Sequence, residues 1–355
     1  MLVSRDYYKK NKKFVSCKIT RKEQDIINLK GKSILLTGAG GFIGSHLTEA
    51  LLERDVELKA FVRYNSRNDW GMLEYLPPEK IESIEVVTGD LRDYDAIRGA
   101  VKDVDVIFHL ASLISIPYSY QHPRENVETN VMGTFNVLMA ARDCQVEKIV
   151  HTSTSETYGT ARYVPIDEEH PLQGQSPYSA SKIGADKLAE SFHLSYELPV
   201  ATIRPFNTFG PRQSSRAVIP TIISQALVKD EIYLGSLHPT RDYTYVKDLV
   251  QGFICVGESP QSVGEVINIG SNFEISIGDL AEKIINLIGR EVTIKTDQSR
   301  IRPSASEVER LWCDNTKAKK LLGWEPSMTL DDGLRETIDW ILENPELHKT
   351  NIYNR

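Results

Sequence analysis

The chain has 355 residues, a formal net charge of −7 and 41% hydrophobic residues. This length is enough for one large domain or two smaller ones with a buried core. The acidic balance gives no general reason to expect nucleic-acid binding. The sequence has no run of about 18 apolar residues, so we expect no membrane span. Cys17, Cys144, Cys255 and Cys313 lack metal-ligand spacing, which predicts reduced thiols, no metal site and a cytoplasmic location.

The N-terminal segment differs in composition from the rest of the chain. Residues 1–30 carry nine basic side chains against three acidic ones and contain no apolar core. A secretory signal requires such a core, so that interpretation is excluded. We expect residues 1–30 to form a basic peripheral extension, with a functional anion-binding tail as the alternative.

A glycine-rich turn follows the first predicted strand. Ser33–Thr37 is a short apolar run, Gly38–Gly44 has the spacing Gly-x-x-Gly-x-x-Gly, and a helix is predicted over residues 45–53. Glycines permit close backbone approach, and the helix N-terminus offers free N–H groups to a pyrophosphate. The turn therefore predicts a dinucleotide site, with a purely structural turn as the alternative. The expected cofactor contacts are Gly38, Gly41, Phe42, Ile43 and Gly44.

The end of the next predicted strand bears on the choice between NAD and NADP. Glu57–Val62 is followed by Arg63 and, after three further residues, by Arg67. No acidic residue stands there to bind the ribose 2′-hydroxyl of NAD. Arg63 and Arg67 suit a 2′-phosphate better, so the sequence favours NADP. Solvated loop arginines are the alternative.

Strands and helices alternate through the next part of the chain, which indicates βαβ units and a Rossmann-type, doubly wound parallel sheet in an α/β fold. The predicted strands are Ile84–Val87, Val104–Leu110, Lys148–Thr152 and Leu198–Ile203, and a long helix is predicted around Val127–Asp143. Asp90 and Leu91 are placed to meet an adenine. We expect a dinucleotide-binding domain over residues 31–205.

The remainder of the chain reads as a smaller α/β lobe. Amphipathic helices are predicted at Pro220–Val228, Ile277–Ile288 and Leu330–Leu342, with short strands between them. We expect residues 206–345 to form mainly a substrate-binding lobe, with some segments returning to the first domain.

Two segments carry groups suited to proton and hydride transfer. Thr154 and Glu156 follow a predicted strand, while Tyr178 and Lys182 are four residues apart. That spacing places Tyr178 and Lys182 on one face of a helix, where the ammonium is expected to lower the pKa of the phenol towards neutrality. Such a phenol can take a proton from a sugar hydroxyl while a hydride leaves the same carbon. A lone Tyr-x-x-x-Lys occurs by chance, so an exposed helix start is the alternative.

Taken together, these motifs resemble the nucleotide-sugar branch of the extended short-chain dehydrogenase/reductase family, from about Lys32 to Trp340. The segments that carry the resemblance are Thr37–Gly44, Asp90-Leu91, His109–Ser112, Thr152–Gly159, Tyr178–Lys182, Arg204–Arg212, Arg241–Asp248 and Leu321–Pro326. Any one of them occurs by chance, but their order and spacing argue against coincidence. The resemblance implies a tightly bound NAD or NADP, a nucleotide-sugar substrate and a homodimer.

The resemblance also implies roles for individual residues. Thr154 would hydrogen-bond the C4 hydroxyl of the sugar, Tyr178 would be the base at C4, and Lys182 would hold the nicotinamide ribose. The further cofactor contacts that it implies are Asp90, Leu91, Leu110, Ala111, Ser112 and Pro205. The implied contacts to substrate phosphates or base are Asn207, Arg212, Arg241 and Arg302. Arginine forks suit a diphosphate, and surface salt bridges are the alternative.

Ser155 and Glu156 bear on which nucleotide-sugar reaction is implied. A 4,6-dehydratase needs a base at C5 and an acid for the C6 hydroxyl. Familiar dehydratases resemble Thr-Asp-Glu here, whereas this chain has Ser155 in place of the aspartate. UDP-glucuronate decarboxylases look similar, with Thr-Ser-Glu. The wider sequence around both segments resembles bacterial N-acetylhexosamine 4,6-dehydratases of legionaminic-acid-type pathways, which favours a dehydratase acting on UDP- or GDP-linked N-acetylglucosamine.

Three other functions stay open beside the dehydratase. They are a UDP-glucuronate decarboxylase, a C4 epimerase and a non-catalytic dinucleotide sensor. Epimerases usually lack a glutamate two residues after the hydroxyl residue, and a sensor has no need of Thr154, Tyr178 and Lys182. The acid for the C6 hydroxyl also stays open. The candidates are Glu156, Ser155 acting through a water, and a carboxylate within Asp167–Glu169.

Overall fold

A computed structural model of the chain describes residues 27–348. The strands are β1 Ser33–Thr37, β2 Glu57–Arg63, β3 Ile84–Gly89, β4 Val106–His109, β5 Lys148–Thr152, β6 Val200–Pro205, β7 Asn207–Phe209, β8 Glu231–Leu234, β9 Thr240–Tyr245, β10 Val266–Ile269, β11 Glu274–Ser276 and β12 Thr293–Thr296. The α-helices are α1 Phe42–Leu52, α2 Pro78–Glu82, α3 Tyr94–Val101, α4 Ile116–Gln121, α5 Pro123–Val127, α6 Gly133–Asp143, α7 Pro177–Tyr196, α8 Val218–Val228, α9 Val246–Glu258, α10 Ile277–Ile288, α11 Thr316–Leu322 and α12 Leu330–Glu343. Most of the basic extension predicted over residues 1–30 lies outside the described residues.

Seven strands form one parallel sheet in the order β3-β2-β1-β4-β5-β6-β10. The first six follow the order of doubly wound dinucleotide-binding folds, which confirms the predicted fold class. Alternate side chains of β1 enter different cores: Ile34 and Leu36 pack with α1 and α9, and Leu35 packs with α3, α6 and α7. Helices therefore cover both faces, as parallel strands require.

The chain after β6 builds two smaller sheets. β7 and β9 pair in parallel and β9 and β11 antiparallel, while β8 and β12 form a separate parallel pair. The helices α8, α10 and α12 pack against one another. Between these segments, β10 returns to the edge of the large sheet beside β6. The domain boundaries at residues 205 and 345 remain predictions.

The first helix begins earlier than the sequence predicted. α1 starts at Phe42, with Gly41 as its N-cap, rather than at Ser45. The last residues of the glycine turn therefore already belong to the helix. This brings the N-terminus of α1 directly against the end of β1.

The helix predicted around Val127–Asp143 also starts earlier and is irregular. It runs from α5 through a π-helical turn at Glu128–Met132 into α6. In that turn the buried Asn130 side chain bonds both backbone groups of Leu113 and the Ser181 hydroxyl on α7. The π turn thus ties α6 to the start of α7, and such turns often occur near functional sites.

The structure also bears on two expectations from composition. Cys144 and Cys313 are free thiols, as predicted, whereas Cys17 lies outside the described residues. Within residues 27–348, no helix is long and apolar enough to cross a membrane.

Candidate active site

The glycine turn between β1 and α1 is shaped for close approach of a ligand. Gly38 has a φ of 76°, and a β-carbon there would lie 2.8 Å from the backbone nitrogen of Ala111. A β-carbon on Gly44 would overlap the carbonyl oxygen of Gly38. Gly41 caps α1 without a side-chain hydrogen bond. The first N–H groups of α1 are therefore available to an anion such as a pyrophosphate.

The ends of β1 and β4 complete this cradle. Thr37 Oγ1 accepts a hydrogen bond from Ala111 N at 3.2 Å and lies 2.8 Å from His109 Nδ1. The Ser112 hydroxyl is buried and has no hydrogen-bond partner within residues 27–348. Buried hydroxyls are almost always bonded, so a partner from a ligand is expected here. An unpartnered hydroxyl beside a glycine cradle, at the carboxyl ends of parallel strands, fits a dinucleotide.

Leu91, Leu110 and Pro205 share this edge of the sheet with the glycine turn. Leu91 and Leu110 follow the ends of β3 and β4, and Pro205 is the last residue of β6. The Leu110 N–H donates to the Thr37 carbonyl oxygen at 3.2 Å, which fixes the two strand ends together. Their placement is consistent with the predicted cofactor contacts, whose roles remain predictions.

The charged residues predicted near the cofactor adenosine differ in how strongly they are bound to neighbouring side chains. Asp90 accepts hydrogen bonds from Arg92 Nε at 2.9 Å and Nη2 at 2.6 Å, and these bonds lower the pKa of Asp90 to about 2. The Arg63 side chain is 65% exposed, and its only ion pair within the described part of the chain is a long one of 3.8 Å, to α5. Arg67 pairs with the neighbouring Asp69 at 3.1 Å. Arg63 is therefore the freer of the two arginines.

The hydroxyl and carboxylate candidates lie in a short 3₁₀ turn, Ser155–Tyr158, that follows β5. Thr154 caps this turn, because its Oγ1 accepts a hydrogen bond from Glu156 N at 3.3 Å. Ser155 and Glu156 are both buried. The turn contacts α7, and the charge of Glu156 adds to the rise that burial causes in the pKa of Tyr178.

Tyr178 and Lys182 both lie near the start of α7, where they are buried. Ser176 caps the helix by accepting a hydrogen bond from Ser179 N at 3.1 Å, which fixes where the helix begins. Lys182 Nζ donates to the Thr152 carbonyl oxygen at 2.6 Å. Burial lowers the pKa of Lys182 to about 8.

The predicted effect of Lys182 on the pKa of Tyr178 is wrong. Burial raises the pKa of Tyr178 well above its ordinary value, the charge of Glu156 adds to the rise, and a hydrogen bond with Thr154 opposes it. The Lys182 ammonium is bound to a backbone carbonyl at the end of β5. It is not among the groups that shift the phenol. The pKa shift therefore has the opposite direction to the one predicted from the four-residue spacing.

Two of the predicted substrate arginines converge on one carboxylate. Arg241 Nη2 lies 3.4 Å and Arg302 Nη1 lies 3.5 Å from Glu307 Oε1. Tyr243 follows Arg241 by two residues on β9 and shares its face of the strand. Asn207 on β7 pairs in register with Tyr243, and both the Asn207 Oδ1 and the Tyr243 hydroxyl are buried without a partner. These groups form a polar wall suited to phosphate or sugar hydroxyls.

Arg212 lies apart from that wall. Its Nη1 forms an ion pair with Glu49 at 2.8 Å and a hydrogen bond with the Ser45 hydroxyl at 3.4 Å. Both partners belong to α1, so Arg212 lies beside the helix that follows the glycine turn. The structure thus brings together three of the four predicted substrate residues.

The carboxylates of Asp167–Glu169 differ in their surroundings. Asp167 accepts a hydrogen bond from the Tyr163 hydroxyl at 2.6 Å, and Glu168 accepts one from Asn268 N at 2.8 Å. Burial raises the pKa of Glu168, whereas Glu169 is exposed. Asp167 and Glu168 are therefore already engaged in hydrogen bonds. The polar side chains within the turn after β5 are the freer candidates for the acid that the sequence left open.

Sequence reasoning did not single out several polar residues of this region. They are Asp186, Arg204, Tyr243 and Glu307. The four-residue spacing from Lys182 could have indicated Asp186, and the two-residue spacing from Arg241 could have indicated Tyr243. Arg204 and Glu307 reach the site only through folding and carry no comparable local signal.

The parallel sheet, the glycine turn and the cluster of Thr154, Tyr178 and Lys182 together define a dinucleotide-binding protein of the short-chain dehydrogenase/reductase type. The GDP-mannose 4,6 dehydratase family matches residues 35–337. The chain therefore belongs to this family, in the nucleotide-sugar branch of the extended short-chain dehydrogenases/reductases.

Individual relatives are similar over nearly their whole length. The low-salt glycan biosynthesis protein Agl12 of Haloferax volcanii is 34% identical over 319 residues, which are 88% of this chain and 99% of that protein. DesIV, a dTDP-glucose 4,6-dehydratase from Streptomyces venezuelae solved with NAD and TYD bound, is 29% identical with a TM-score of 0.78, covering 89% of this chain and 99% of its own.

An epimerase is equally similar in structure. The UDP-glucuronic acid 4-epimerase of Bacillus cereus, solved with UDP-glucuronic acid and NAD, is 28% identical with a TM-score of 0.79 and covers 88% of this chain and 99% of its own. The relatives thus include dehydratases and 4-epimerases, and both solved structures hold NAD.

Proposed function

We propose that this protein is a nucleotide-sugar 4,6-dehydratase that acts on UDP- or GDP-linked N-acetylglucosamine. The observation that carries the proposal is the position of Glu156. It is buried two residues after Thr154 in one 3₁₀ turn, and this turn contacts the helix that carries Tyr178 and Lys182. One site thereby contains a base for a C4 hydroxyl and a second base for an adjacent carbon.

The proposed chemistry divides between these groups. Thr154 holds the C4 hydroxyl and Tyr178 takes its proton. The glycine turn and Lys182 would hold NAD or NADP, which would supply the hydride acceptor for C4 and the hydride donor for C6. The C4 ketone acidifies the C5 proton, which Glu156 removes. The electron pair of the C5–H bond forms the C5–C6 double bond, the C6–O bond breaks, and the hydroxyl leaves as water with a proton from Glu156, or from Ser155 through a water. Hydride return to C6 moves the electron pair of the double bond to C5, which takes a proton from solvent, and Tyr178 releases the O4 proton to solvent.

The remaining predicted residues serve binding in this proposal. The N–H groups at Phe42–Gly44 bind the pyrophosphate of the cofactor, and Lys182 binds its nicotinamide ribose. Asn207, Arg241 and Arg302 bind the substrate phosphates or base, and Arg212 does so from its position beside α1. Because the net redox change is zero, the cofactor remains bound through the cycle and the reaction is that of a lyase.

The competing functions make different use of the same site. A C4 epimerase needs Thr154, Tyr178 and Lys182 but no base at C5. A buried Glu156 therefore has no chemical role in that reaction. A UDP-glucuronate decarboxylase needs no acid for a C6 hydroxyl, which is compatible with Ser155. A non-catalytic sensor needs none of these groups. The buried Glu156 favours the dehydratase over the epimerase. Because a solved 4-epimerase is similar to this chain, the epimerase is the second candidate.

The experiment is a panel of UDP- and GDP-linked N-acetylglucosamine, glucose, mannose and glucuronate, analysed by mass spectrometry and chromatography. The proposal expects a product lighter by one water from an N-acetylglucosamine nucleotide. A product lighter by carbon dioxide identifies the decarboxylase. An unchanged mass with a shifted retention time identifies the epimerase, and no conversion of any substrate supports the sensor.

For the cofactor we propose a preference for NADP, whereas DesIV and the Bacillus cereus epimerase were solved with NAD. Arg63 ends β2, where an acidic residue would bind the ribose 2′-hydroxyl of NAD. Its guanidinium is mostly exposed and only weakly paired, which supports a role in binding a 2′-phosphate. Arg67 adds less, since it already pairs with Asp69.

We also propose that the protein works in the cytoplasm as a homodimer. Exposed apolar side chains, among them Val127 and Met132 beside α6 and Leu194 on α7, support an interface along these helices. Light scattering of the purified chain measures the mass, and Met132→Asp should shift a dimer towards the monomer.

A further inference from the structure

A buried cluster behind the candidate active site is centred on Asp186. This carboxylate is one helical turn beyond Lys182 on α7. Its Oδ1 accepts a hydrogen bond from His151 Nε2 at 3.0 Å, and its Oδ2 accepts from Ser153 Oγ at 2.6 Å and from Arg204 Nη2 at 2.9 Å. All four side chains are at least nine-tenths buried. Asp186 therefore joins α7 to the segment that leaves β5.

The guanidinium of Arg204 contacts that segment on both sides of Glu156. Its Nε donates to Ser153 Oγ at 3.2 Å, and its Nη1 donates to the Tyr158 hydroxyl at 2.8 Å. The Arg204 Cζ also lies 4.7 Å from the centre of the Tyr158 ring, a distance suited to a cation–π contact. Tyr158 in turn donates to Asn268 Oδ1 on β10 at 2.8 Å.

These contacts link the turn that contains Glu156 to the helix of Tyr178 and Lys182, through the ion pair of Arg204 and Asp186. Ser153 precedes Thr154, and Tyr158 ends the turn that contains Glu156. Arg204 holds both ends of this turn, and Asp186 carries that restraint to the helix of Tyr178 and Lys182. A buried ion pair is weak evidence of stability, because desolvation offsets its attraction. A role in fixing the geometry of the active site explains why the hydrogen-bonded pair of Arg204 and Asp186 lies directly behind it.

We infer that Arg204 and Asp186 are positioning residues, which set the placement of Glu156 relative to Tyr178 and Lys182 and so couple C5 deprotonation to C4 oxidation. This inference rests on the proposed function for its two chemical steps. The planar fork of arginine is needed, since three acceptors in three directions are bonded at once. Lysine retains the charge but cannot reproduce this geometry.

The test uses Arg204→Lys and Asp186→Asn in the full-length protein. Displacing a reacting group by about 1 Å costs on the order of 100-fold in rate. We therefore expect kcat to fall by roughly that factor while KM stays within about twofold. C4 oxidation, measured as absorbance of reduced bound cofactor, should persist, and solvent deuterium uptake at C5 should fall more. A parallel fall of both steps overturns the inference.

Asp248→Asn provides the matched control. Asp248 is also a buried carboxylate that accepts from a serine hydroxyl at 2.6 Å, in this case Ser327, and from Met328 N at 3.0 Å. It joins α9 to the loop before α12, away from the turn of Glu156. The same substitution there should lower stability without changing the ratio of the two chemical steps. An equal change of that ratio in Asp248→Asn contradicts a specific positioning role.

A second measurement is independent of turnover. Backbone amide exchange over residues 153–158 should rise in Arg204→Lys and Asp186→Asn, and stay at the wild-type level in Asp248→Asn. If a charged-residue variant fails to fold, Tyr158→Phe removes only one hydroxyl from the cluster and should raise exchange in the same segment. Unchanged exchange in a folded variant overturns the inference.

The pH profile separates positioning from a general loss of stability. The Asp186 charge raises the pKa of Lys182, so Asp186→Asn should move the alkaline limb of kcat to lower pH, whereas Asp248→Asn should not. If the wild-type protein dehydrates no nucleotide sugar, the proposed function falls. The amide-exchange comparison then still decides whether Arg204 and Asp186 position the turn.

Discussion

Lys182 donates a 2.6 Å hydrogen bond from Nζ to the backbone carbonyl of Thr152. This bond ties the ammonium to the end of β5, directly before the turn that contains Thr154 and Glu156. Burial lowers the pKa of Lys182 to about 8, and the charge of Asp186 opposes this change. The side chain therefore titrates near the pH at which the protein is expected to work.

Activity and stability should depend on pH in opposite directions. Activity is expected to fall as pH rises through about 8, because Lys182 loses its charge. In the unfolded chain the lysine has its ordinary pKa of 10.5. Between these values the unfolded state binds more protons, so the free energy of unfolding should rise with pH, by up to about 3 kcal/mol from this group.

Rate profiles and urea denaturation at matched pH measure the two effects. Lys148 contributes to stability in the same direction, since burial lowers its pKa to about 7. The informative quantity is thus the difference between the wild type and Lys182→Met, which should lose activity and flatten the rise in stability. An identical rise in both proteins would show that Lys182 is not its source.

Glu156→Gln should separate the two proton transfers. The variant retains the backbone N–H that bonds Thr154 but loses the base. We expect C4 oxidation to persist, seen as absorbance of reduced bound cofactor, and product formation to fall by at least about 100-fold. Mass spectrometry in deuterated water should find no exchange at C5. Glu168→Gln is the comparison and should retain most activity, because Glu168 is engaged with Asn268 N.

Gly44→Ala should abolish cofactor binding. A β-carbon at this position overlaps the carbonyl oxygen of Gly38, so the glycine turn must open and the N-terminus of α1 must move. Gly99→Ala on α3 is the control, because a β-carbon there meets no atom within 4 Å. Calorimetric titration and thermal unfolding should show lost binding and stability for the first variant. The second should be more stable by up to about 1 kcal/mol.

Local patterns predicted the features that depend on neighbouring residues. The Gly38–Gly44 spacing indicated the turn, and the interval between Tyr178 and Lys182 indicated their common helix. The pKa of Tyr178 could not be predicted in this way, because burial comes from packing of distant segments and outweighs the expected charge effect. The contacts of Arg204 likewise join β5, α7 and β6, whose proximity only the folded sheet supplies.

Arg63→Glu tests the choice of cofactor. The substitution places a carboxylate at the end of β2, where it can bind a ribose 2′-hydroxyl and repels a 2′-phosphate. Titrations of apo protein should show a greater loss of affinity for NADP than for NAD, by at least tenfold. Arg67→Glu should have a smaller effect, since Arg67 already pairs with Asp69. An equal loss for both dinucleotides would remove the case for NADP.

Tyr243→Phe tests the polar wall formed with Arg241 and Arg302. The hydroxyl of Tyr243 is buried without a partner among the described residues. Burial raises its pKa well above the ordinary value, and the charges of Arg241 and Arg302 oppose this rise. Leaving a buried hydroxyl unbonded costs about 1–3 kcal/mol. Its removal should therefore leave the protein as stable as the wild type, or more stable.

If the hydroxyl bonds the substrate, Tyr243→Phe should at the same time lower kcat/KM by roughly threefold to tenfold, which is the value of one hydrogen bond. Tyr94→Phe is the control, because the Tyr94 hydroxyl bonds Asp143 at 3.0 Å on α6, outside the site, and its loss should leave KM unchanged. Steady-state kinetics and thermal unfolding of both variants provide the measurements. Unaltered kinetics in Tyr243→Phe would show that the hydroxyl makes no substrate contact. A lower kcat/KM at undiminished stability would assign the hydroxyl to substrate binding, because a packing defect would lower both kcat/KM and stability.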